Sequence, residues 1–114
     1  MNTQEFVRSF NELQEDIFTL MQKNGFWDDI TNPLKFAEKI ALVHSEVSEA
    51  LEAHRNPDKR DKHLPHRNPI GVELADAVIR IMDLAEALHI DLATIIVEKH
   101  EFNASRPHKH GKKY

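Results

Sequence analysis

The chain has 114 residues, of which 40% are hydrophobic and 30% charged, and its formal net charge is −4. These values fit one folded domain with a modest core, and the absence of cysteine excludes disulfides, thiolate metal sites and cysteine nucleophiles. No window approaches the roughly 18 apolar residues of a membrane helix, and the N-terminal segment lacks the features of a secretory signal. We therefore expect a cytoplasmic protein without a membrane partner.

Charge is distributed unevenly along the chain. Residues 99–114 carry five Lys or Arg against Glu101 alone, a balance of +4, which leaves −8 for residues 1–98. An acidic body with a basic tail is not typical of a nucleic-acid-binding surface, so we expect no nucleic-acid partner. The distribution fits a cation site with an anion-binding segment beside it.

Apolar periodicity predicts two helices in the first half of the chain. The first spans about residues 3–23 and is ended by Asn24-Gly25. Asn32-Pro33 predicts the cap and first turn of a second helix, which ends near His54. The predicted core positions of these two helices are Phe6, Phe10, Leu13, Ile17, Leu20 and Met21, followed by Phe36, Ile40, Val43, Val47, Ala50 and Leu51.

The second half of the chain predicts a loop and two more helices. Residues 55–70 hold three of the five prolines and many charges, so they form the loop. Asn68-Pro69 caps a third helix that reaches about His89, and Asp91 caps a fourth that stops before Pro107. No segment alternates with period two. The predicted fold is therefore all-α, with a four-helix bundle in residues 1–104 and a basic tail in residues 105–114.

The third helix predicts association between copies of the chain. Between Val72 and Ala85 every position is apolar except Glu73, Asp76, Arg80 and Asp83, which share one stripe of the helix. A helix that is apolar nearly all round is a buried helix. We therefore expect a homodimer or homotetramer that completes the bundle.

Two pairs of acids on adjacent predicted helices indicate a cation site. Glu46 and Glu49 are three residues apart, as are Glu73 and Asp76, so the members of each pair are neighbours that repel each other. Carboxylate ligands without cysteine suit Mg²⁺, or Mn²⁺ as the alternative. The plainer alternative is an ion-pair ladder along the third helix, with Arg80 between two acids, and solvated glutamates on the second.

These acids resemble the motif of a known family. Ser45-Glu46-Val47-Ser48-Glu49, a spacer from Ala50 to Val72 and then Glu73-Leu74-Ala75-Asp76 are similar to the EExxE and ExxD elements of the MazG-like all-α nucleoside triphosphate pyrophosphohydrolases, which include dimeric dUTPases and dCTP pyrophosphatases. Lys99 to Asn103 resembles the family's later KxxxN element. The resemblance runs from about Trp27 to Lys113, with Ser45 in place of the first Glu of the pattern.

The resemblance implies a reaction and a role for each matching residue. The reaction is Mg²⁺-dependent hydrolysis of the α–β phosphoanhydride of an NTP or dNTP to a monophosphate and pyrophosphate, which would cleanse the nucleotide pool. Glu46, Glu49, Glu73 and Asp76 would bind the metal, and either Glu46 or Glu49 would also activate water. Lys99 and Arg106 would hold the triphosphate, while Asn103 would contact the nucleotide. Trp27 would either stack on the base or close the end of the bundle.

Three other functions stay open from the sequence. Phosphoribosyl-ATP pyrophosphohydrolase is a related enzyme with similar helices. A non-catalytic helical oligomerisation module is the alternative from a different class, although such a module has no need of repelling acids. A di-iron bundle requires Glu-x-x-His on each of two helices, and here only Glu86-Ala87-Leu88-His89 fits.

Overall fold

The computed structural model describes residues 1–113, which form four α-helices and a short 3₁₀ helix and contain no β-strand. The helices are α1 (Thr3–Lys23), α2 (Lys35–Arg55), α3 (Pro69–Ala87) and α4 (Leu92–Ala104), and the 3₁₀ helix is His108–Gly111. The all-α prediction is confirmed. Within this part of the chain no helix combines the length and apolar character that a membrane span requires. Tyr114, the last residue of the predicted basic tail, lies outside the described residues.

Side-chain caps fix the starts of three helices. Asn2 accepts a hydrogen bond from the backbone N–H of Glu5 at the start of α1. Asn68 caps α3 and Asp91 caps α4, as the sequence predicts. These caps satisfy N–H groups that have no partner within the helix, so Asn68-Pro69 and Asp91 are reliable start signals.

The predicted start of α2 is wrong. The cap position of α2 is Leu34, which makes no side-chain capping hydrogen bond. Asn32 instead accepts from the backbone N–H of Leu34 at 3.0 Å and closes a turn before the helix. Asn and Pro favour such turns as strongly as they favour helix caps, and the two outcomes have the same local signature.

α3 is the central helix of the fold. It packs along α2 and also against α1, and α4 packs on α1. The radius of gyration is 16.6 Å, whereas a compact domain of this length has a value of about 13 Å. A single copy of the chain is therefore an open arrangement of helices and not a closed bundle.

Much of the predicted apolar core is exposed in the single chain. On α2 the half-exposed residues Ile40, Val47 and Leu51 share one face, and the side chains that are buried along this helix are Lys35, Lys39 and Ala50. α3 likewise exposes a stripe at Leu74, Val78 and Ile81, each between 39% and 50% exposed. On α1, Leu13 and Leu20 are exposed while Gln14 and Ile17 are buried. Large apolar surfaces of this kind mark sites of association.

Candidate functional site

Three of the four predicted metal ligands meet between α2 and α3. Glu46 of α2 and Glu73 and Asp76 of α3 each present a carboxylate oxygen, and these oxygens all lie within 4.8 Å of one another. Glu46 and Glu73 are partly buried, and Asp76 is exposed. We call these three residues the acidic cluster. Side chains that are 27 to 30 residues apart in the sequence converge here because α2 and α3 pack along each other.

The electrostatics of the acidic cluster are unfavourable without a cation. Burial and the neighbouring Asp76, followed by Glu46 and Glu49, raise the pKa of Glu73. Partial desolvation and the nearby Glu46 also raise the pKa of Asp76, and Arg80 opposes this shift. The raised pKa values mean that the ionised forms of Glu73 and Asp76 are less favourable in the folded chain than in water.

Arg80 pairs across the helices and not along α3. Its Nε donates a hydrogen bond to Oε1 of Glu46 at 2.7 Å. The alternative ladder of Asp76, Arg80 and Asp83 is therefore not the hydrogen-bonding arrangement that the structure contains. The pair partly neutralises Glu46 and leaves its second carboxylate oxygen for another ligand.

Glu49 lies beside the acidic cluster, on the wall of a cavity of about 190 Å³ that it shares with Glu73. The loop between α2 and α3 supplies the opposite wall, including Lys59, Arg60 and Lys62. We call this the basic-loop cavity. Glu49 is exposed, so it reaches solvent next to the acids, and the cavity brings cations within reach of any anion placed there.

The loop that carries these cations is ordered by its own hydrogen bonds. Oδ1 of Asp61 accepts from the backbone N–H groups of His63 and Leu64, both at 2.8 Å, and these bonds lower the pKa of Asp61. Arg60 donates from Nη1 to the carbonyl oxygen of Arg67 at 3.4 Å. The cations are therefore presented by a folded turn.

A second cavity, of about 230 Å³, lies on the other side of the acidic cluster between α1, α2 and α3. Glu46, Asp76 and Arg80 form the wall that this cavity shares with the cluster. Lys39 and Asp83 lie on the same cavity. We call it the inner cavity.

Trp27, in the loop between α1 and α2, is buried against α3. It is 3% exposed, and its ring lies 5.8 Å from that of Phe18 and 6.1 Å from that of Phe36. Its indole Nε1 donates to Oδ1 of Asp83 at 2.9 Å. Of the two roles that the sequence left open for Trp27, this position favours closure of the bundle, because no face of the indole is open to a nucleobase.

Lys39 is the least expected member of the site. It is 7% exposed, and its ammonium lies 4.6 Å from the centre of the Trp27 ring and 5.5 Å from that of Phe26. Burial and the nearby Lys35 lower its pKa, whereas burial raises the pKa of Asp83 against the effect of the Trp27 hydrogen bond. Cation–π contacts support the charge, but Lys39 forms no hydrogen bond or ion pair with another described residue.

The residues predicted to hold the triphosphate lie apart from this site. Near the end of α4, Nζ of Lys99 lies 5.0 Å and Cζ of Arg106 lies 5.6 Å from the centre of the Phe102 ring. Neither these two residues nor Asn103 line the two cavities beside the acids. α4 packs on α1, whereas α2 packs mainly on α3. Within one chain, the structure does not bring these three residues to the acidic cluster.

Sequence reasoning missed Lys39 and the basic loop. Lys39 stands seven residues before Glu46, so the two share a face of α2, and that spacing was the available signal. Charged loop residues are usually solvated, and nothing in the sequence distinguishes Lys59, Arg60 and Lys62 from that common case.

The donor set fits a hard divalent cation. Mg²⁺ binds oxygen ligands at about 2.0 to 2.1 Å, so ligands on opposite sides of one ion are about 4.2 Å apart. The oxygens of the acidic cluster lie within 4.8 Å of one another, so they would move closer together to bind one ion. No nitrogen or sulfur ligand joins the three carboxylates in this group of described residues, and that composition favours Mg²⁺ or Mn²⁺ over zinc or copper.

Comparisons of the chain with protein-family models, with curated proteins and with solved structures find no match. The fold and the site are those of an all-α chain with carboxylates that converge between two helices, flanked by two cavities that each carry acidic and basic side chains.

Proposed function

We propose that the protein is an Mg²⁺-dependent nucleoside triphosphate pyrophosphohydrolase of the MazG-like type. The observation that carries the proposal is the convergence of Glu46, Glu73 and Asp76 within 4.8 Å, in the pattern that the family motif implies. The two flanking cavities support it, because Lys59, Arg60 and Lys62 on one cavity would contact phosphates, and Met21, Phe26 and Ile79 on the other would contact a base. The reaction would be NTP or dNTP plus water to the monophosphate plus pyrophosphate.

The chain would hold the metal through the acidic cluster and would place the phosphates in the basic-loop cavity. Bound Mg²⁺ would supply charge neutralisation at the phosphoryl oxygens and would lower the pKa of a coordinated water. Lys59, Arg60 and Lys62 would offset the charge that accumulates on the leaving pyrophosphate.

Glu49 is the residue that we assign to the attacking water. It borders the basic-loop cavity next to Glu73 and is exposed, so its carboxylate can accept a proton from a water that faces the phosphates. Water would attack the α-phosphorus, the bond from that phosphorus to the bridging oxygen would break, and pyrophosphate would leave. Glu46, which is paired with Arg80, is better placed as a ligand than as a base.

We also propose that a homodimer or homotetramer completes the site. The apolar stripes Ile40, Val47, Leu51 on α2 and Leu74, Val78, Ile81 on α3 are exposed in the single chain, and the large radius of gyration indicates that the bundle is open. A second copy that covers these stripes could bring Lys99, Asn103 and Arg106 of its own α4 to the phosphates. Lys99 and Arg106 in particular would then reach the role that the family resemblance gives them.

The test is a panel of canonical and modified NTPs and dNTPs, incubated with the protein in Mg²⁺ or in EDTA, with pyrophosphate and orthophosphate assayed separately. The proposal predicts pyrophosphate and a nucleoside monophosphate in Mg²⁺ and neither product in EDTA. Orthophosphate as the first product, or turnover that persists in EDTA, would refute it. Turnover of phosphoribosyl-ATP alone would keep the reaction and change the substrate.

A further inference from the structure

The inner cavity has the features of a ring-binding pocket. Met21, Phe26 and Ile79 give it apolar walls, and its volume is about 230 Å³. A cavity of about 150 Å³ is enough for benzene in an engineered protein, so this cavity holds one substituted six-membered ring. Its outer wall is shared with Glu46 and Asp76, so a ring inside it would be attached to groups that lie at the acidic cluster.

Two charged side chains inside the inner cavity lack full hydrogen bonding. Lys39 is 7% exposed, and its ammonium lies over the rings of Trp27 and Phe26 without a hydrogen bond to a described residue. Asp83 is 5% exposed; Oδ1 accepts from Trp27, and Oδ2 has no hydrogen-bond partner among the described residues. Neither charged atom is fully cut off from solvent, so a ligand that enters the cavity must replace the water hydrogen bonds that these charges lose. The cavity therefore offers three N–H donors and one carboxylate acceptor to a ligand.

We propose that Lys39 and Asp83 are the pair that reads the base, and that they select a pyrimidine with a ring N–H flanked by carbonyl groups, as in uracil or thymine. Oδ2 of Asp83 would accept from the ring N–H, and the Lys39 ammonium would donate to a carbonyl oxygen. Such a ring has a carbonyl on each side of the N–H, so Lys39 can donate a hydrogen bond to a carbonyl whichever way the ring is turned about the N–H. Cytosine and adenine have no ring N–H at this edge, and guanine has a carbonyl on only one side of its ring N–H. This inference rests on the proposed function, because it assumes that the ligand is a nucleotide.

Trp27 provides a direct probe that does not depend on turnover. It is the only tryptophan of the chain, it donates to Asp83, and Lys39 lies over its ring. The experiment titrates the full-length protein with uridine, cytidine, guanosine and 3-methyluridine, without metal, and follows Trp27 fluorescence. We expect uridine to bind at least about tenfold more tightly than 3-methyluridine, since the methyl group removes the donor and leaves Asp83 unpaired. We also expect cytidine and guanosine to bind more weakly than uridine.

Two variants test the pair by residue. Asp83→Asn keeps an oxygen to accept from Trp27 but presents an amide donor to the cavity, and Lys39→Met keeps the length of the side chain without its donors. Each should weaken uridine binding at least about tenfold, and Asp83→Asn should also lose the discrimination against 3-methyluridine. Asp16→Asn, at an exposed position of α1, and Lys23→Met, at its end, are the matched controls and should bind as wild type does. Circular dichroism verifies that each variant is folded.

The outcomes separate this inference from the proposed function. Equal binding of uridine and 3-methyluridine by the wild type, preference for cytidine or a purine, or no nucleoside binding overturns the inference, and this arm requires no variant. Pyrophosphate release without base preference would retain the proposed function and overturn the proposal that Lys39 and Asp83 select the base. Selective uridine binding by a protein that hydrolyses no triphosphate would retain the pocket and overturn the proposed function.

Discussion

Asp76→Asn should make the metal-free protein more stable and should remove its response to Mg²⁺. The substitution deletes one charge of the acidic cluster and preserves the shape of the side chain. At 4.8 Å two unit charges repel by about 0.9 kcal/mol in the dielectric of water and by about 3.5 kcal/mol at an effective dielectric constant of 20. Because Asp76 is exposed, the lower value applies to its repulsion from each of Glu46 and Glu73.

The net gain is smaller than the two repulsions together, because Asp76 also loses its attraction to Arg80. We expect the free energy of unfolding in EDTA at neutral pH to rise by about 1 kcal/mol, which raises Tm by about 4 °C in a domain of this size. Added Mg²⁺ should have the opposite effect and stabilise the wild type more than the variant. Mg²⁺ at one hundred times its Kd stabilises the wild type by about 2.7 kcal/mol through mass action, and the variant should gain little.

The stability difference also has a defined dependence on pH. The pKa values of Glu73 and Asp76 are raised in the folded chain, so the unfolded chain releases these protons first as pH rises. The free energy of unfolding contributed by these groups therefore falls from the ordinary carboxyl pKa, 3.8 for Asp, up to the raised pKa of the folded state. Well below 3.8 both carboxyls are protonated, and the advantage of Asp76→Asn over wild type should vanish.

Thermal melts followed by circular dichroism, in EDTA and in Mg²⁺, at about pH 7 and about pH 3, measure all three effects. Asp16→Asn is the control for removal of one negative charge at an exposed site on α1. If Asp76→Asn were less stable than wild type in EDTA at neutral pH and still gained the full increment from Mg²⁺, the reasoning about the acidic cluster would be refuted.

Three further predictions concern catalysis, packing and assembly. Glu49→Gln should reduce pyrophosphate release at least about a hundredfold and leave Tm within about 2 °C of wild type, because Glu49 is exposed; an unchanged kcat excludes it as the base. Trp27→Phe leaves the buried Asp83 without its 2.9 Å hydrogen bond and should lower the free energy of unfolding by about 1 to 3 kcal/mol. Urea denaturation monitored by far-ultraviolet circular dichroism measures this change. Val78→Lys, on the exposed stripe of α3, should shift sedimentation toward the monomer, and an unaltered oligomer would locate the interface elsewhere.

Apolar periodicity and capping residues predicted the bounds of the helices well, except for the start of α2. α1 begins and ends where the apolar periodicity and Asn24-Gly25 indicate, and the caps at Asn68 and Asp91 are confirmed. The predicted start of α2 was wrong because Asn32-Pro33 has the same local signature in a turn as in a helix cap, and here it forms a turn. The loop before α2 also contains Trp27, which is buried and donates a hydrogen bond to Asp83 of α3.

Periodicity identified which residues share a helical face but not which face is covered. On α2 the apolar stripe at Ile40 and Val47 is open in the single chain, while α3 packs on the side that carries Glu46 and Ala50. The acids could therefore be paired by spacing alone, and their meeting depended on how two helices dock. The spacing to Glu46 placed Lys39 on the same face of α2, but its burial could not be predicted, because it depends on Phe26 and Trp27 of the preceding loop, whose rings lie under its ammonium.

The four charges of the otherwise apolar α3 have partners in different places. Glu73 and Asp76 join the acidic cluster, Arg80 pairs with Glu46 of α2, and Asp83 accepts from Trp27. Each of these contacts lies on the side of α3 that bears the two cavities. The stripe of charges is thus the wall of the candidate site, and the apolar stripe of α3 at Leu74, Val78 and Ile81 is exposed in the single chain.

The most direct test of the central claim compares pyrophosphate release by wild type and by Glu73→Gln, in Mg²⁺, with the nucleotide that the wild type prefers. Glu73→Gln retains the volume and hydrogen-bonding capacity of the side chain but removes a charge from the acidic cluster. We expect Mg²⁺-dependent release by the wild type and a loss of at least about a hundredfold in kcat/KM in the variant, which should be equally folded. Equal rates for the two proteins would contradict it.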